Sequence, residues 1–278
     1  IEHSYPHCWR CDSPLLNYAT DSWYVSVTKI KETLLVTNVN TAWVPAHMRD
    51  GRFGEWLSGA RDWAISRNRF WGTPLPVWVC GSGKGCAEMV FSSAKDLENL
   101  AGKLVDDLHK HKVDDITFPC ASCGGTMRRV PEVLDCWFES GSMPYGQMHY
   151  PFENKELFEA GFPAEFIAEG QDQTRGWFYT LHVLAAALSL PPNPSVPSRI
   201  ALPAFRNVIV NGIVLAEDGK KMSKRLKNYP DPMEMLEKYG ADAMRYYLLT
   251  SPVMHAEAIN FSEKGVLEVY QKLINTLA

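Results

Sequence analysis

The chain has 278 residues, of which 46% are hydrophobic and 22% are charged, and its formal net charge is −4. This composition predicts a globular protein with one large core and a smaller module, and it excludes an intrinsically disordered chain. The mildly acidic balance also excludes a protein that coats nucleic acid with a uniformly basic surface, so a polyanion has to meet a local basic patch.

The longest apolar run, "VLAAALSL" at 183–190, is far shorter than the roughly 20 residues of a membrane helix, so no membrane span is predicted. Four of the seven cysteines form two C-x2-C pairs, Cys8 with Cys11 and Cys120 with Cys123. Paired cysteines at this spacing are typical of metal sites in a reduced compartment rather than of a secreted disulfide framework. We therefore expect a cytoplasmic protein.

The first predicted elements are short. The segment "WYVSVTKI" (23–30) predicts a strand, a short helix at 29–36 could follow it, and the Arg- and Trp-rich segment 62–79 is typical of a loop that enters a strand. Residues 80–130 differ in character, because two cysteine clusters flank a polar helix that Ser92 or Ser93 could cap. This segment is the best candidate for an inserted module.

A strand followed directly by a helix begins at "AEFIAEG" (164–170), and the helix predicted over 172–190 has apolar residues at spacings of four, three and four. This order is typical of a parallel α/β sheet. A proline-rich linker follows at 190–199. The segment "FRNVIVNGIVLAEDG" (205–219) then predicts a strand or a hairpin that ends in a turn at Asp218 and Gly219.

The last part of the chain is predicted to be helical. Asp231 and Pro232 are typical of a helix start, and Gly240 is typical of a helix end. From Ala241 onward the pattern predicts helix to the end of the chain.

A dense basic loop precedes this region, with five cations in the eight residues from Lys220 to Lys227. Such a loop, between a strand and a capped helix, can close over a phosphate chain, and Lys221 and Lys224 would supply mobile ammonium charges. The alternative is a charge run on a solvated surface.

The string "KMSKR" (221–225) resembles the KMSKS signature of the class I aminoacyl-tRNA synthetases, and "KMSKRLKNYPDP" is very similar to its form in isoleucyl-tRNA synthetases. Three further segments resemble blocks of the same family in the same order. They are "RDWAISRNRFWGTPLPVW" (61–78), "VLDCWFESGSMPYGQ" (133–147) and "AEGQDQTRGWFYTL" (168–181).

The resemblance implies an α/β fold, the second half of a Rossmann-like synthetase catalytic domain. Residues 1–79 would end an editing insertion and return to the catalytic fold, and 80–130 would form a small zinc-ribbon insertion. Residues 131–230 would form the catalytic core with the adenylate pocket. Residues 231–278 would begin an α-helical stem that leads to an anticodon-binding domain.

The activity that the resemblance implies is ATP-dependent ligation of isoleucine to tRNA(Ile) through isoleucyl-adenylate, with Mg²⁺, by a monomeric parent enzyme. Lys221, Met222, Ser223 and Lys224 would bind ATP, and the two lysines would act in catalysis. The family's HIGH signature is not found in the sequence. We therefore expect a fragment that does not form adenylate at a useful rate alone. The alternatives are a valyl-tRNA synthetase fragment and a non-catalytic zinc-ribbon module that binds RNA.

Three polar side chains lie where the strand at 164–170 ends and the next helix begins, which is where a doubly wound sheet binds its ligands. Glu169 and Asp172 can accept hydrogen bonds from an α-ammonium group or a ribose hydroxyl, and Gln173 can accept or donate. Helix capping by Asp172 is the alternative.

The resemblance places Glu169 on the aminoacyl-adenylate and makes Gly170 a point of close backbone approach. It also makes Trp137 and Trp177 walls of an isoleucine pocket. Two indoles form an apolar, rigid pocket that suits a branched aliphatic side chain. By its helical spacing alone, Trp177 would be a core residue.

Four cysteines could form a closed zinc site of thiolates. They are Cys80, Cys86, Cys120 and Cys123. The second pair has the usual knuckle spacing, the first has five intervening residues, and free buried thiols are the alternative. Cys8 and Cys11 form only a half site, which His3 or His7 could complete.

Overall fold

The computed structural model describes residues 5–8, 11–190, 202–223 and 226–277. The α-helices are α1 Lys31–Val39, α2 Gly54–Ser58, α3 Ala94–Ala101, α4 Lys110–Val113, α5 Cys136–Gly146, α6 Lys155–Gly161, α7 Trp177–Ser189, α8 Pro232–Leu249, α9 Glu263–Val269 and α10 Asn275–Leu277. Turns of 3-10 helix cover Val27–Ile30, Gln171–Arg175 and Pro252–His255, and π-helical turns cover Arg49–Phe53 and Tyr270–Ile274.

The β-strands are short, apart from two of seven residues each. They are β1 Tyr24–Val25, β2 Ala42–Val44, β3 Trp63–Ala64, β4 Ser66–Arg67, β5 Val77–Cys80, β6 Met89–Val90, β7 Phe118–Pro119, β8 Thr126–Arg129, β9 Val133–Leu134, β10 Ala164–Gly170, β11 Phe205–Asn211, β12 Val214–Leu215 and β13 Ile259–Asn260. Apart from Leu190, the predicted linker at 190–199 lies outside the described residues.

The chain folds into two compact units, each built from two stretches of sequence. The first contains Ile1–Val25 and Trp63–Asp135, and the second contains Ser26–Asp62 and Cys136–Ala278. The domain division predicted from the sequence stays a prediction. Among the described residues, no helix is long and apolar enough to cross a lipid bilayer.

A parallel sheet in the order β10–β11–β2 organises the second unit. β11 runs parallel to both neighbours, and it pairs with β10 along almost the whole strand. Helix α7 follows β10, and its residues from Phe178 to Ala186 are all buried. The predicted α/β class is therefore confirmed, because a parallel strand is followed by a helix that covers apolar surface.

Four aromatic rings form the centre of this unit. The ring of Trp43 lies with its centroid 4.8 Å from that of Phe53, 6.0 Å from that of Phe178 and 6.5 Å from that of Phe205. All four side chains are buried. They come from β2, the π-helical turn, α7 and β11, so one cluster joins the sheet to the segments around it.

A fully buried histidine, His182 of α7, lies against this cluster. Its Nε2 donates to the Leu34 carbonyl oxygen at 2.9 Å, while Nδ1 has no hydrogen-bond partner among the described residues. Burial lowers the pKa of His182 to about 4. The imidazole is therefore neutral at physiological pH and serves the core as a polar link from α7 to α1.

The predicted strand at 23–30 is mostly wrong, because only Tyr24–Val25 is extended and a 3-10 helix follows. Asp62 explains the helical turn, since its Oδ1 accepts both the amide N–H of Thr28 at 3.0 Å and the Thr28 hydroxyl at 2.7 Å. A carboxylate thus caps a helix start from 34 residues away in the sequence. Local patterning cannot reveal such a partner.

Of the strand or hairpin predicted within 205–219, the strand and the turn at the end are confirmed, whereas the hairpin alternative is wrong. β11 and β12 do not pair with each other, because β12 pairs in parallel with β13. Gly212 lies between them, and a methyl group there would stand 1.7 Å from the Glu257 carbonyl oxygen. Only glycine allows the backbone at position 212 to pack this closely against Glu257, just before β13, with which β12 pairs.

Helix α8 begins as predicted, since the Asp231 carboxylate accepts the Met233 amide N–H at 2.8 Å. It is interrupted as predicted at Gly240, whose φ is 79°. The expectation of helix from Ala241 to the end is wrong in part, because the 3-10 turn and β13 intervene. Helices α8 and α9 pack around a separate buried cluster of Met235, Tyr239, Ala243, Phe261 and Val266.

The first unit contains an antiparallel sheet in the order β6–β5–β8–β7. Trp78 is at the centre of its core, and the indole Nε1 donates to the Ile116 carbonyl oxygen at 2.8 Å. Ser93, one of the two predicted caps, accepts the Asp96 amide N–H at the start of α3. Gly102, in the left-handed region at φ 66°, ends this helix.

Candidate functional site

The predicted polar side chains lie at the carboxyl end of β10. Glu169 and Gly170 are its last residues, and Asp172 and Gln173 belong to the 3-10 turn that follows. A methyl group on Gly170 would stand 2.7 Å from Asp172 Oδ1, so the carboxylate covers the glycine α-carbon. Gln173 Nε2 donates to Asp172 Oδ2 at 3.2 Å. The structure thus brings the carboxylate and the amide together at the strand end.

Gln173, rather than Asp172, caps α7. Its Oε1 accepts the Trp177 amide N–H at 2.9 Å. Gly176, which directly precedes Trp177, has φ −135° and ψ −116°, and this interrupts the helix predicted over 172–190. The capping role considered for Asp172 is therefore filled by its neighbour, and the Asp172 carboxylate is exposed.

The two tryptophans lie near the starts of α5 and α7. A methyl group on Gly176 would lie 3.3 Å from Trp137 Cη2, so the Trp137 indole packs on the glycine that precedes Trp177. Trp177 Nε1 donates to the Ser140 carbonyl oxygen at 3.3 Å. Trp137 is 43% exposed and Trp177 is half-buried, which leaves apolar surface at the site. The sequence analysis did not single out Gly176 or Ser140, although both lie within the quoted motifs.

The basic loop follows the turn at Asp218, whose carboxylate pairs with Lys220 at 3.1 Å. Lys221, Met222 and Ser223 are described, whereas Lys224 lies outside the described residues. Met222 packs against the cluster of α8 and α9. The loop is therefore anchored to the helical part of the second unit by an apolar side chain.

The four cysteines predicted as metal ligands converge in the first unit. Their Sγ atoms all lie within 4.8 Å of one another. In a tetrahedral site with Zn–S bonds of about 2.3 Å, the sulfurs would stand about 3.8 Å apart, so the spacing fits such an ion. Cys120 N–H donates to the Gly125 carbonyl oxygen at 2.6 Å, and Gly124, at φ 72°, closes the knuckle.

The thiol pKa values reflect this crowding. The pKa of Cys123 is lowered to about 6, first by its hydrogen bond with Ser82 and then by the Gly125 amide. The pKa of Cys86 is raised to about 12, first by the neighbouring Cys123 and then by burial. One sulfur readily carries charge while its neighbour resists it, because a second thiolate so close would be repelled by the first. The cluster can hold a metal ion.

The pair Cys8 and Cys11 forms no such cluster within the described part of the chain, where only the four-thiol group is assembled. His7 Nδ1 lies 2.9 Å from the Tyr5 carbonyl oxygen, and His3 lies outside the described residues. The hydrogen bond with Ser13 lowers the pKa of Cys11 to about 7.

Residues 15–260 match the family model of class I tRNA synthetases (I, L, M and V). Because the match covers most of the sequence, the chain belongs to the class I tRNA synthetase family, as its motifs predict. Two solved structures are similar in fold. They are a methionyl-tRNA synthetase of Mycobacterium tuberculosis in complex with methionyl-adenylate and a LeuRS of Agrobacterium radiobacter in a ternary complex with tRNA and LeuAMS.

The methionyl enzyme aligns over 98% of this chain and 42% of its own, with a TM-score of 0.60 and 20% identity. The LeuRS aligns over 82% and 31%, with a TM-score of 0.55 and 22% identity. At these identities the likeness shows the fold alone. Much higher identity is found with isoleucine–tRNA ligases.

The chain is 58% identical to the isoleucine–tRNA ligase of Treponema denticola and 55% identical to the cytoplasmic isoleucine–tRNA ligase of Arabidopsis thaliana. These alignments cover 99% and 96% of the chain. They cover 24% and 22% of the two relatives. The chain thus spans about a quarter of the length of the curated relatives it matches.

Proposed function

We propose that the chain carries the adenylate-binding part of an isoleucine–tRNA ligase, an enzyme that activates isoleucine with ATP and transfers it to tRNA(Ile). The observation that supports this proposal is the group at the carboxyl end of β10. There a glycine, a carboxylate and an amide lie close to two tryptophans. The 58% identity to an isoleucine–tRNA ligase favours isoleucine over valine as the substrate.

In this proposal the amino acid carboxylate attacks the α-phosphorus of ATP and pyrophosphate leaves. The chain supplies positioning and charge rather than a covalent nucleophile. Glu169 and Asp172 accept hydrogen bonds from the α-ammonium group and the ribose, and Gly170 lets the backbone approach the adenylate. Trp137 and Trp177 face the branched side chain.

The phosphates are assigned to the basic loop. Lys221 and Lys224 neutralise the charge that develops on the leaving pyrophosphate, and Met222 and Ser223 shape the backbone around it. Mg²⁺ would enter with ATP and be held chiefly by its phosphates.

A structural Zn²⁺ ion is proposed for Cys80, Cys86, Cys120 and Cys123, because four thiolates at tetrahedral spacing suit zinc. The ion would balance the thiolate charge and hold β5 to the knuckle between β7 and β8. We also propose a monomeric parent enzyme that works in the cytoplasm, as the name of the Arabidopsis relative indicates for that protein.

Calorimetric titration of the purified chain with non-hydrolysable isoleucyl-, valyl- and leucyl-adenylate analogues tests the proposal. Tightest binding is expected for the isoleucyl analogue, and Glu169→Gln is expected to weaken it about tenfold, as the loss of a hydrogen bond to a charged group would. Glu165→Gln, at an exposed position in the same strand, is the matched control. Equal affinity for all three analogues, or equal weakening by both variants, would contradict the assignment.

A further inference from the structure

A single side chain, that of Asn228, holds the backbone of the basic loop. Its Oδ1 accepts the Ser223 amide N–H at 2.9 Å. Its Nδ2 donates to the Lys221 carbonyl oxygen at 3.1 Å. A carboxamide offers both an acceptor and donors, so one residue binds main-chain groups on both sides of Met222.

The residue between these two bonds is held in a different way. Met222 packs its side chain against the buried cluster of α8 and α9. The segment from Lys221 to Ser223 is therefore fixed through its backbone by Asn228 and through its central side chain by apolar contact.

A tight turn brings Asn228 back to this segment. The Ser223 carbonyl oxygen accepts the amide N–H groups of Leu226 at 3.1 Å and Lys227 at 2.9 Å. Lys227 lies in the left-handed region, at φ 49°. The turn reverses the chain, so that a residue five positions after Ser223 can bind its amide.

Packing alone does not hold this part of the loop. A cavity of about 270 Å³ is lined by Met222, Lys227 and Asn228 of the loop region, together with Phe261, Glu263 and neighbouring residues. Because the loop is not backed by dense packing there, its two hydrogen bonds with Asn228 contribute a larger share of its order.

We propose that Asn228 is the positioning residue of the basic loop. It holds the backbone of Lys221 in the conformation that receives a phosphate chain. The identity of that anion rests on the proposed function, whereas the claim that Asn228 orders the loop backbone does not. Asn228 acts through Lys221 and Ser223, and no contact of its own with the nucleotide is part of the proposal.

Limited trypsin digestion of the 278-residue chain tests directly whether Asn228 keeps the basic loop ordered. Trypsin cleaves after lysine and arginine, and the loop contains five such residues. Proteolysis follows the population of the open loop, so Asn228→Ala is expected to raise cleavage between 220 and 227 about tenfold. Asn228→Asp keeps the acceptor for Ser223 but loses the donor to Lys221, and an intermediate rate is expected. Asn228→Asp also serves as the second variant should Asn228→Ala fail to fold.

Asn207→Ala is the matched control, because Asn207 is exposed and donates to the Glu165 carbonyl oxygen at 2.7 Å in the same unit. In Asn207→Ala, trypsin should cleave the basic loop at the wild-type rate. Thermal unfolding of the Asn228 variants should be unchanged, which separates local positioning from general stability. A wild-type cleavage rate in both Asn228 variants would overturn the proposal.

Calorimetric titration with ATP and Mg²⁺ gives the second readout. Affinity is expected to fall about fivefold in Asn228→Ala, which loses both loop bonds. Rapid cleavage of Asn228→Ala together with no ATP binding by the wild-type chain would support the positioning role and contradict the proposed function. Rapid cleavage with unchanged ATP affinity would contradict the link between loop order and the phosphate site.

Discussion

The thiol cluster and the group at the end of β10 are built in different ways. Each thiol pair comes from one short segment, with glycines that bend the chain so that the sulfurs converge. The site at β10 combines a strand end, a 3-10 turn and the starts of α5 and α7 around buried aromatic rings. In the proposed function the first arrangement would depend on a Zn²⁺ ion to offset thiolate repulsion, whereas the second depends on apolar burial.

Cys120→Ser should produce the largest effect, because binding of a structural zinc ion contributes about 10–16 kcal/mol in small zinc modules. Bound zinc is expected to fall from about one ion per chain to almost none, with loss of hydrogen-exchange protection in β5 and β8. Elemental analysis and hydrogen exchange measure both. Cys136→Ser, an exposed cysteine outside the cluster, should keep its zinc. Stoichiometric zinc in Cys120→Ser would contradict the proposal that the four thiols bind the ion.

Phe178→Ala should destabilise the sheet unit while leaving zinc content unchanged. Phe178 is fully buried between Trp43 and Phe205, and loss of such a ring costs about 3–5 kcal/mol. Hydrogen exchange of β10 and β11 amides measures the loss. Phe152→Ala, at a position 61% exposed, is expected to change stability by less than about 0.5 kcal/mol. Similar protection in the two variants would contradict an apolar origin of the unit's stability.

The buried His182 makes the sheet unit sensitive to acid. Its pKa is lowered to about 4 in the folded chain, so the unfolded chain binds the proton more tightly. Stability is therefore complete above pH 6.5 and falls as the pH drops from 6.5 toward 4. The difference between those pKa values corresponds to about 3 kcal/mol.

His182→Gln keeps a donor for the Leu34 carbonyl oxygen but cannot titrate, so its stability should depend less on pH between 6.5 and 4. Urea unfolding at several pH values measures the difference. His47→Gln, at an exposed position, should retain the wild-type pH dependence. An unchanged slope in His182→Gln would show that other groups cause the acid sensitivity.

Gly176→Ala should have the smallest effect and act on the site alone. The added methyl group would stand 2.7 Å from Gln173 Oε1 and 3.3 Å from the Trp137 ring. Displacement of these groups is expected to weaken binding of the isoleucyl-adenylate analogue about tenfold, or about 1.4 kcal/mol. Gly146→Ala, where a methyl group meets open space, is the control in the titration. Equal affinity in the two variants would argue against a pocket at this point.

Sequence patterns predicted the features that depend on neighbouring residues. The Asp231 cap, the Gly240 interruption, the β10 strand and the α/β class are confirmed, because each follows from residues a few positions apart. The predictions at 23–30, 172–190 and 205–219 are only partly right, and the parts that are wrong share a different cause. In each, a side chain or a glycine meets a partner that the local pattern does not show, such as Asp62 at Thr28 or Glu257 at Gly212.

The sequence by itself determined the family and the residue types of both candidate sites, because motif residues are read directly from the order of the chain. Only the tertiary structure decided how these residues are held. It made Gln173 the cap of α7, packed Trp137 on Gly176 and placed Asn228 on the basic loop. These arrangements depend on backbone turns that give a carboxamide or an indole its partner, and such geometry exists only once the chain is folded.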